Sequence, residues 1–417
     1  MADRGRFGGA VAEACGGHSV SEAALVAGGH LDTLLERRTE ATRAFFAAEA
    51  ERLARLCHLM AERFARDGRL VAVGRTPTAR SDARHVAVEF VHPVIVGKRA
   101  LPAIGLAGEG GELVAQLDLV ARAEDIAIAF GADEDGGDAA RAIALARSRG
   151  CLTIAFSPCV ADWEFIPPTP DPHVRQELVE TLYHVLWELV HVFFDHRGLL
   201  AGRQARPVHD AGGSSFLYPF LSEGESELEP VVEDVRRSVL MKAEEIGSLR
   251  EQTLRDNRVV LAEAAEALRC VFARGGQLLA LGNGGSATDA MDVVADLRAA
   301  RRPALDLTED PGIITAIAND IGTEAIFSRQ VIAYGRRGDA LLALSTSGNS
   351  ANVIHALAEA RRRGLLTIAM VGYDGGRVAE EALADHVVVT LSENIPRIQE
   401  AQAAAYHALV ELVELVG

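Results

Sequence analysis

The sequence predicts an α/β protein of two tandem domains, each a parallel sheet flanked by helices and entered through long N-terminal helices. Three observations carry this. Motifs of the first half recur in the same order in the second. Short apolar runs alternate with helical stretches across Gly-containing turns. The runs themselves, such as "QLLALG", "ALLALS", "LLTIAMVG" and "HVVVTL", are nearly continuous in apolar residues. Strands without a polar face belong to sheets covered by helices on both sides, which is the usual setting of parallel sheets.

The repetition can be followed along the chain. "RFARDGRLVAVG" (Arg63 to Gly74) matches "VFARGGQLLALG" (Val271 to Gly282) at an offset of 208. "SDARHVAVEF" matches "TDAMDVVADL" at 207, "ALARSRGCLTIAF" matches "AEARRRGLLTIAM" at 214, and "RQELVETLYHVLWEL" matches "IQEAQAAAYHALVEL" at 223. Ordered matches with small insertions indicate two copies of one domain. Residues 1–28 form a Gly/Ala-rich extension without the continuous apolar run of a secretory signal. Helical patterns from Leu31 to Arg66 open the first domain, 29–197. A Gly/Ser/Pro-rich linker follows over 198–230. Helical patterns from Val231 to Arg274 open the second domain, 231–417.

Composition excludes several classes. A net charge of −17 over 417 residues argues against holding nucleic acid by bulk electrostatics. No apolar run reaches the roughly 18 residues of a membrane span. The five cysteines include no C-x-x-C pair and fit the reducing cytoplasm, the expected location. Lysine occurs only at Lys98 and Lys242, outside any Gly-rich turn, so neither a Walker-type loop nor a nucleotide cofactor is expected.

Two turns of the second copy suit an anion. In "GNGGSATDAM", Asn283, Gly284 and Ser286 lie where a strand gives way to a helix, and the glycines let backbone approach a ligand. In "STSGNS", Ser345, Thr346, Ser347, Asn349 and Ser350 combine hydroxyls with successive N–H groups at a helix start. The competing reading of the latter is plain N-capping by Ser350 or Asn349. In the first copy, "RTPTARS" loses the glycines and Pro77 removes an N–H. Its other turn carries Asp133, Glu134, Asp135 and Asp138, which would repel a phosphate dianion or simply be solvated on a domain reduced to scaffold.

Taken with "AIANDIGTEAIFSRQ", "VGYDGGRVAE" and "RIQE" followed by His407, these blocks resemble a sugar isomerase (SIS) domain of the phosphoheptose isomerase type over Val231 to Gly417. The first copy resembles a divergent version of it. The resemblance implies a phosphorylated sugar held by the Ser/Thr turn, with Asn319 and Asp320 near the sugar, and aldose–ketose isomerisation through an enediol. The family uses a helical His and Glu four residues apart, then a Gln and a His eight apart, a set that also holds metal. The second copy presents Asp292, Asp296, Gln399 and His407 there, which assigns catalysis to Asp296 and His407 and substrate contact to Gln399. Asp292 and Asp296 depart from the family's His and Glu. The first copy keeps His85, Glu89, Gln176 and His184, implying one divalent metal, zinc foremost. The alternative is a sugar-phosphate sensor or assembly protein without turnover. The resemblance further implies a homodimer that completes a four-domain assembly.

Overall fold

The computed structural model describes residues 20–94, 98–108, 111–133, 136–195, 200 and 228–415. Most of the expected linker, together with Glu134 and Asp135, lies outside the described residues. The first half runs α1 (Val20–Ala65), β1 (Leu70–Val73), α2 (Pro77–Val91), β2 (Ala103–Leu106), α3 (Leu113–Val120), β3 (Ile126–Ala129), α4 (Asp138–Ser148), β4 (Leu152–Ala155), β5 (Trp163–Glu164) and α5 (Pro172–Asp195). The second runs α6 (Leu228–Asp256), α7 (Arg258–Ala273), β6 (Leu278–Leu281), α8 (Gly285–Ala299), β7 (Ala304–Asp306), α9 (Pro311–Asp320), α10 (Ile326–Tyr334), β8 (Ala340–Ser345), α11 (Ala351–Arg363), β9 (Leu366–Gly372), α12 (Gly376–Glu380), β10 (His386–Thr390) and α13 (Ile395–Glu414).

Two five-stranded parallel sheets result, ordered β2-β1-β3-β4-β5 and β7-β6-β8-β9-β10. The fold class expected from the sequence is the one observed. Residues of β1, β3, β4, β6 and β8 are buried along their whole length, which explains their unbroken apolar runs. In both sheets the chain starts at an inner strand, steps outward once and then crosses to the other side. The first strand and the third are therefore neighbours across a point where the order reverses, and ligands of such sheets bind beyond the carboxyl ends of the strands there. The loops leaving β6 and β8 are "NGGS" and "TSGNS".

The copies share local devices as well. Thr153 and Asp162 exchange backbone and side-chain hydrogen bonds, Thr153 N–H donating to Asp162 Oδ2 at 3.1 Å and Asp162 N–H to Thr153 Oγ1 at 2.8 Å. Thr367 and Asp385 repeat the pair at 2.9 and 2.9 Å.

The helices differ from expectation in three respects. First, α1 begins at Val20, so residues 20–28 are helix rather than part of the extension. Second, the stretch expected as one helical pattern divides at Asn257. Its side chain receives the Val389 N–H at 2.9 Å and donates to Val389 O at 2.8 Å and to Thr253 O at 2.8 Å, so it ties the end of the helix to β10. Third, the chain divides into two compact units, Thr39–Gly247 and the residues through Arg38 together with Ser248–Gly417. The opening helical segments are thus exchanged. Val231, Val235 and Val239 of α6 are buried with the core of the first unit, beside Leu182 and Leu186. Leu31, Leu34 and Leu35 of α1 are buried with the second, beside Leu409 and Val413. An ion pair accompanies each exchange at matching positions: Lys242 with Glu188, and Arg38 with Glu411 at 3.1 Å. None of the described helices is long and apolar enough to cross a membrane.

Candidate functional site

In the second unit the loop between β8 and α11 folds around its own backbone. Ser345 Oγ accepts the Gly348 N–H at 3.1 Å and Ser347 Oγ accepts the Asn349 N–H at 3.2 Å. Asn349 Oδ1 accepts the Arg377 N–H at 3.0 Å, tying the loop to α12. Ser350 is the N-cap residue of α11 by position, yet its side chain makes no capping bond, and Asn349 is committed elsewhere. Plain capping is therefore not what these residues do. Among the described residues the hydroxyls of Thr346 and Ser350 have no protein hydrogen-bond partner, and Ser350 stands at a helix start whose N–H groups carry positive potential. Gly348 makes the tight turn feasible: its φ is +62°, and a Cβ there would lie 2.2 Å from Gly375 O.

The loop after β6 lies alongside. Gly284 is the N-cap of α8 without any side chain capping it, and Ser286 is buried in the first turn. Asn283 and Asn352 exchange two amide hydrogen bonds at 3.0 and 2.9 Å, joining the two loops across the switch point. In the first unit the same two positions carry Arg75 and Asp138, an ion pair of 2.6 Å. The buried Asp138 carboxylate also accepts the Leu113 N–H at 3.0 Å and pairs with Arg141 at 3.4 Å. Burial alone would raise its pKa. The Leu113 N–H, Arg75 and Arg141 outweigh that and hold it below the ordinary carboxylate range. The acidic turn is thus not merely solvated: the Asp138 carboxylate is buried and held by Arg75, Arg141 and the Leu113 N–H. Asp133, half exposed, pairs with Arg175 at 3.3 Å. The other loop of the first unit is an ordinary helix start, with Thr76 capping Ala79 N–H and Pro77 in the first turn.

Helices α8 and α13 of the second unit bring together Asp292, Asp296 and His407. His407 Nε2 lies 3.3 Å from Asp292 Oδ2 and 3.6 Å from Asp296 Oδ2, and Tyr406 Oη donates to Asp292 Oδ2 at 3.0 Å. Asp292 and His407 are buried, while Asp296 is partly exposed. Gln399 is buried two turns earlier on α13. Gln402 Nε2, from the same helix, donates to Ser345 O at 3.4 Å and so links this cluster to the hydroxyl loop.

In the first unit α2 and α5 bring His85 and His184 together, their Nε2 atoms 3.3 Å apart. Burial first, and the neighbouring His184 second, hold the His85 imidazole well below the usual histidine range. Glu89 Oε1 lies 3.9 Å from His85 Nε2. Gln176 Nε2 instead donates to Asp82 Oδ1 at 3.2 Å.

Against known proteins, a family model described as SIS domain matches residues 243–372. The phosphoheptose isomerase of Chlorobium phaeobacteroides is 44% identical over 175 residues, which cover 40% of this chain and 76% of that protein. That of Chlorobaculum parvum is 45% identical over 175 residues, covering 40% and 83%. The chain belongs to the phosphoheptose isomerase family. Along nearly its whole length it also shares the fold of the C-terminal domain of glucosamine-fructose-6-phosphate aminotransferase from Francisella tularensis, with a TM-score of 0.58 and 10% identity over 91% of this chain and 93% of that one.

Within this phosphoheptose isomerase relative, the residues singled out in the sequence fall into separate groups. Ser345, Thr346, Ser347, Asn349 and Ser350 share one loop, with Asn283, Gly284 and Ser286 in the adjoining one. Asp296 and His407 meet on facing helices. Asn319 and Asp320 lie exposed at the end of α9, bonded to each other at 2.7 Å and not to the loop. The sequence reading missed three residues. Asn352 bridges the loops, Tyr406 holds Asp292, and Glu180 of α5 converges on His85 and His184. Two of the three had a signal: Asn352 aligns with Asp138 at the offset of 214, and Glu180 precedes His184 by one helical turn.

Proposed function

We propose that the second unit binds a phosphorylated sugar in the Ser345–Ser350 loop and interconverts its aldose and ketose forms through an enediol. The observation that carries this is the uncapped start of α11. There the hydroxyls of Thr346 and Ser350 lack protein partners, and Gln402 of α13 ties the loop to the helix that carries His407. A phosphate dianion can accept hydrogen bonds from those hydroxyls and from the N–H groups of the first turn without any lysine. Asp296, the more exposed carboxylate, is positioned to take a proton from the carbon beside the carbonyl and return it to the neighbouring carbon. His407 passes a proton between the two substrate oxygens, and Asp292, held by Tyr406, orients His407. The relatives' name, phosphoheptose isomerase, supports sedoheptulose 7-phosphate as the first sugar to test.

Ser347→Ala should weaken sugar-phosphate binding roughly 10-fold or more, as loss of a hydrogen bond to a charged group does. His407→Ala should remove turnover and largely spare binding. Unchanged affinity in Ser347→Ala would overturn the cradle. One observation favours a second reading, binding without turnover: Asp292 already engages both Tyr406 and His407. Under that reading wild type binds the sugar and leaves it unchanged. For the assembly we propose a homodimer, which mass photometry at nanomolar concentration would test.

A further inference from the structure

We propose that His191 is a pH-sensitive latch of the first unit: as an imidazolium it bonds two carbonyls at once and ties α5 to the segment entering β2, and on losing a proton it releases that segment. The latch stands apart from the isomerase reading, since His191 lies outside the second unit. His191 is near the end of α5, 3% exposed, with the rings of Trp187 and Phe194 beside it. Its Nδ1 lies 2.8 Å from Trp187 O and its Nε2 2.9 Å from Arg99 O, both at hydrogen-bond distance. A carbonyl oxygen only accepts, so each contact is a hydrogen bond only if the facing ring nitrogen carries a proton. A neutral imidazole has one N–H and would set its other lone pair against a carbonyl lone pair. The doubly protonated ring satisfies both.

The segment held in this way is part of the sheet's edge. Leu101 N–H donates to Phe90 O at 2.7 Å, and Pro102 O accepts the Leu70 N–H of β1 at 2.9 Å. In the second unit Pro303 O accepts the Leu278 N–H of β6 at 3.0 Å, so the two prolines occupy the same place. There Glu414, which aligns with His191 at the offset of 223, accepts two hydrogen bonds from Arg302, at 2.7 and 3.1 Å. Both copies thus tether their last helix to the segment entering their second strand. Arginine and glutamate keep their charges across neutral pH, which makes one tether permanent. Histidine titrates there, which makes the other conditional.

The charged and titratable groups of the surrounding elements are mixed. Lys98 and Arg99 on the entering segment oppose a second proton, as does burial. On α5, Glu188 stands one turn before His191 and is paired with Lys242 of α6. Asp195 follows one turn later, its side chain outside the described residues. On α1, His58 packs against Phe193 at 5.2 Å, and His92 caps the end of α2. The two short carbonyl contacts are what favour the charged ring, since hydrogen bonds to a charged donor are the strong ones. A histidine charged in the fold contributes stability that is fully present below its unfolded value of about 6.5 and is lost as pH rises through the higher folded value.

The test is NMR of the full chain with ¹⁵N-labelled histidine. Both ring nitrogens of His191, assigned by their loss in His191→Gln, should stay protonated to at least about pH 7.5, a tenfold or greater preference for the charged ring over an exposed histidine. The advantage of wild type over His191→Gln in urea midpoint should be largest near about pH 6 and shrink toward about pH 9. Should His191→Gln fail to fold, His407→Ala serves instead, because it removes the buried histidine that faces two carboxylates. Its spectrum should keep a doubly protonated ring at about pH 7.5, and the absence of any would overturn the proposal. A single proton on His191 at about pH 7, or an advantage that is flat or grows with pH, would overturn it as well. Asp195→Asn should leave the His191 titration in place; its return to about 6.5 there would assign the second proton to that carboxylate and remove the latch.

Discussion

Replacing Gly348 by Ala tests the hydroxyl loop through its backbone. Gly348 is buried with φ +62°, and an added Cβ would lie 2.2 Å from Gly375 O, 2.8 Å from Gly375 C and 3.3 Å from Gly376 N. Every obstacle is backbone, so no rotamer can relieve the clash. Restoring ordinary van der Waals contact requires the two segments to part by about 1 Å. The left-handed conformation costs an alanine about 1–2 kcal/mol. Parting also strains the Val378 N–H···O Gly348 bond of 3.2 Å, worth about 1 kcal/mol. The full chain should therefore lose about 2–3 kcal/mol in urea unfolding. A loop displaced by about 1 Å should lower kcat/KM for the sugar phosphate about 100-fold. Gly338→Ala is the control, since its φ is +93° and nothing lies within 4 Å of the added carbon. It should cost about 1–2 kcal/mol and leave kcat/KM unchanged. Equal stability losses in the two variants, with kcat/KM intact in Gly348→Ala, would refute the reasoning.

Three further outcomes are expected. Asp138 has a depressed pKa, so its stabilising contribution is present above the ordinary aspartate value of about 4 and is lost as pH falls through the lower folded value. Urea midpoints of wild type should decline below about pH 4, and those of Asp138→Asn should decline less steeply there; parallel profiles would remove Asp138 from the acid response. Lys242→Met leaves Glu188 buried beside the exchanged helix and should cost about 3 kcal/mol or more, with Glu188→Gln in the same chain recovering part of it. Ser350→Ala should weaken sugar-phosphate binding by about 10-fold with no loss of stability, because Ser350 makes no capping bond; calorimetry and a thermal melt read the two effects separately.

Much of the fold was legible because the chain is written twice. Strand runs such as "QLLALG" gave the parallel sheet directly, and the offsets gave two copies in one order. Long-range partners were hidden. At the break the Asn257 side chain pairs with Val389, 132 positions away, and nothing in the helical pattern around Asn257 marks that partner. The exchange of opening helices is equally silent, since Val231 and Leu31 look alike to any periodicity. At the site, the residue types of the hydroxyl loop named an anion position. Which residues meet across loops was less visible. The Asn283–Asn352 pair and its Arg75–Asp138 replacement are readable only when both copies are aligned and both positions compared at once. Glu180 is hidden for the opposite reason: it stands against Ala403 in the other copy, so the repeat carries no match at that position.

The most direct measurement is solvent deuterium incorporation into sedoheptulose 7-phosphate by the full chain in heavy water. Deuterium at the carbon beside the carbonyl, abolished in His407→Ala, is the result expected of an enediol isomerase even where net conversion is small. Absence of exchange at a sugar concentration that saturates binding would contradict turnover at this site.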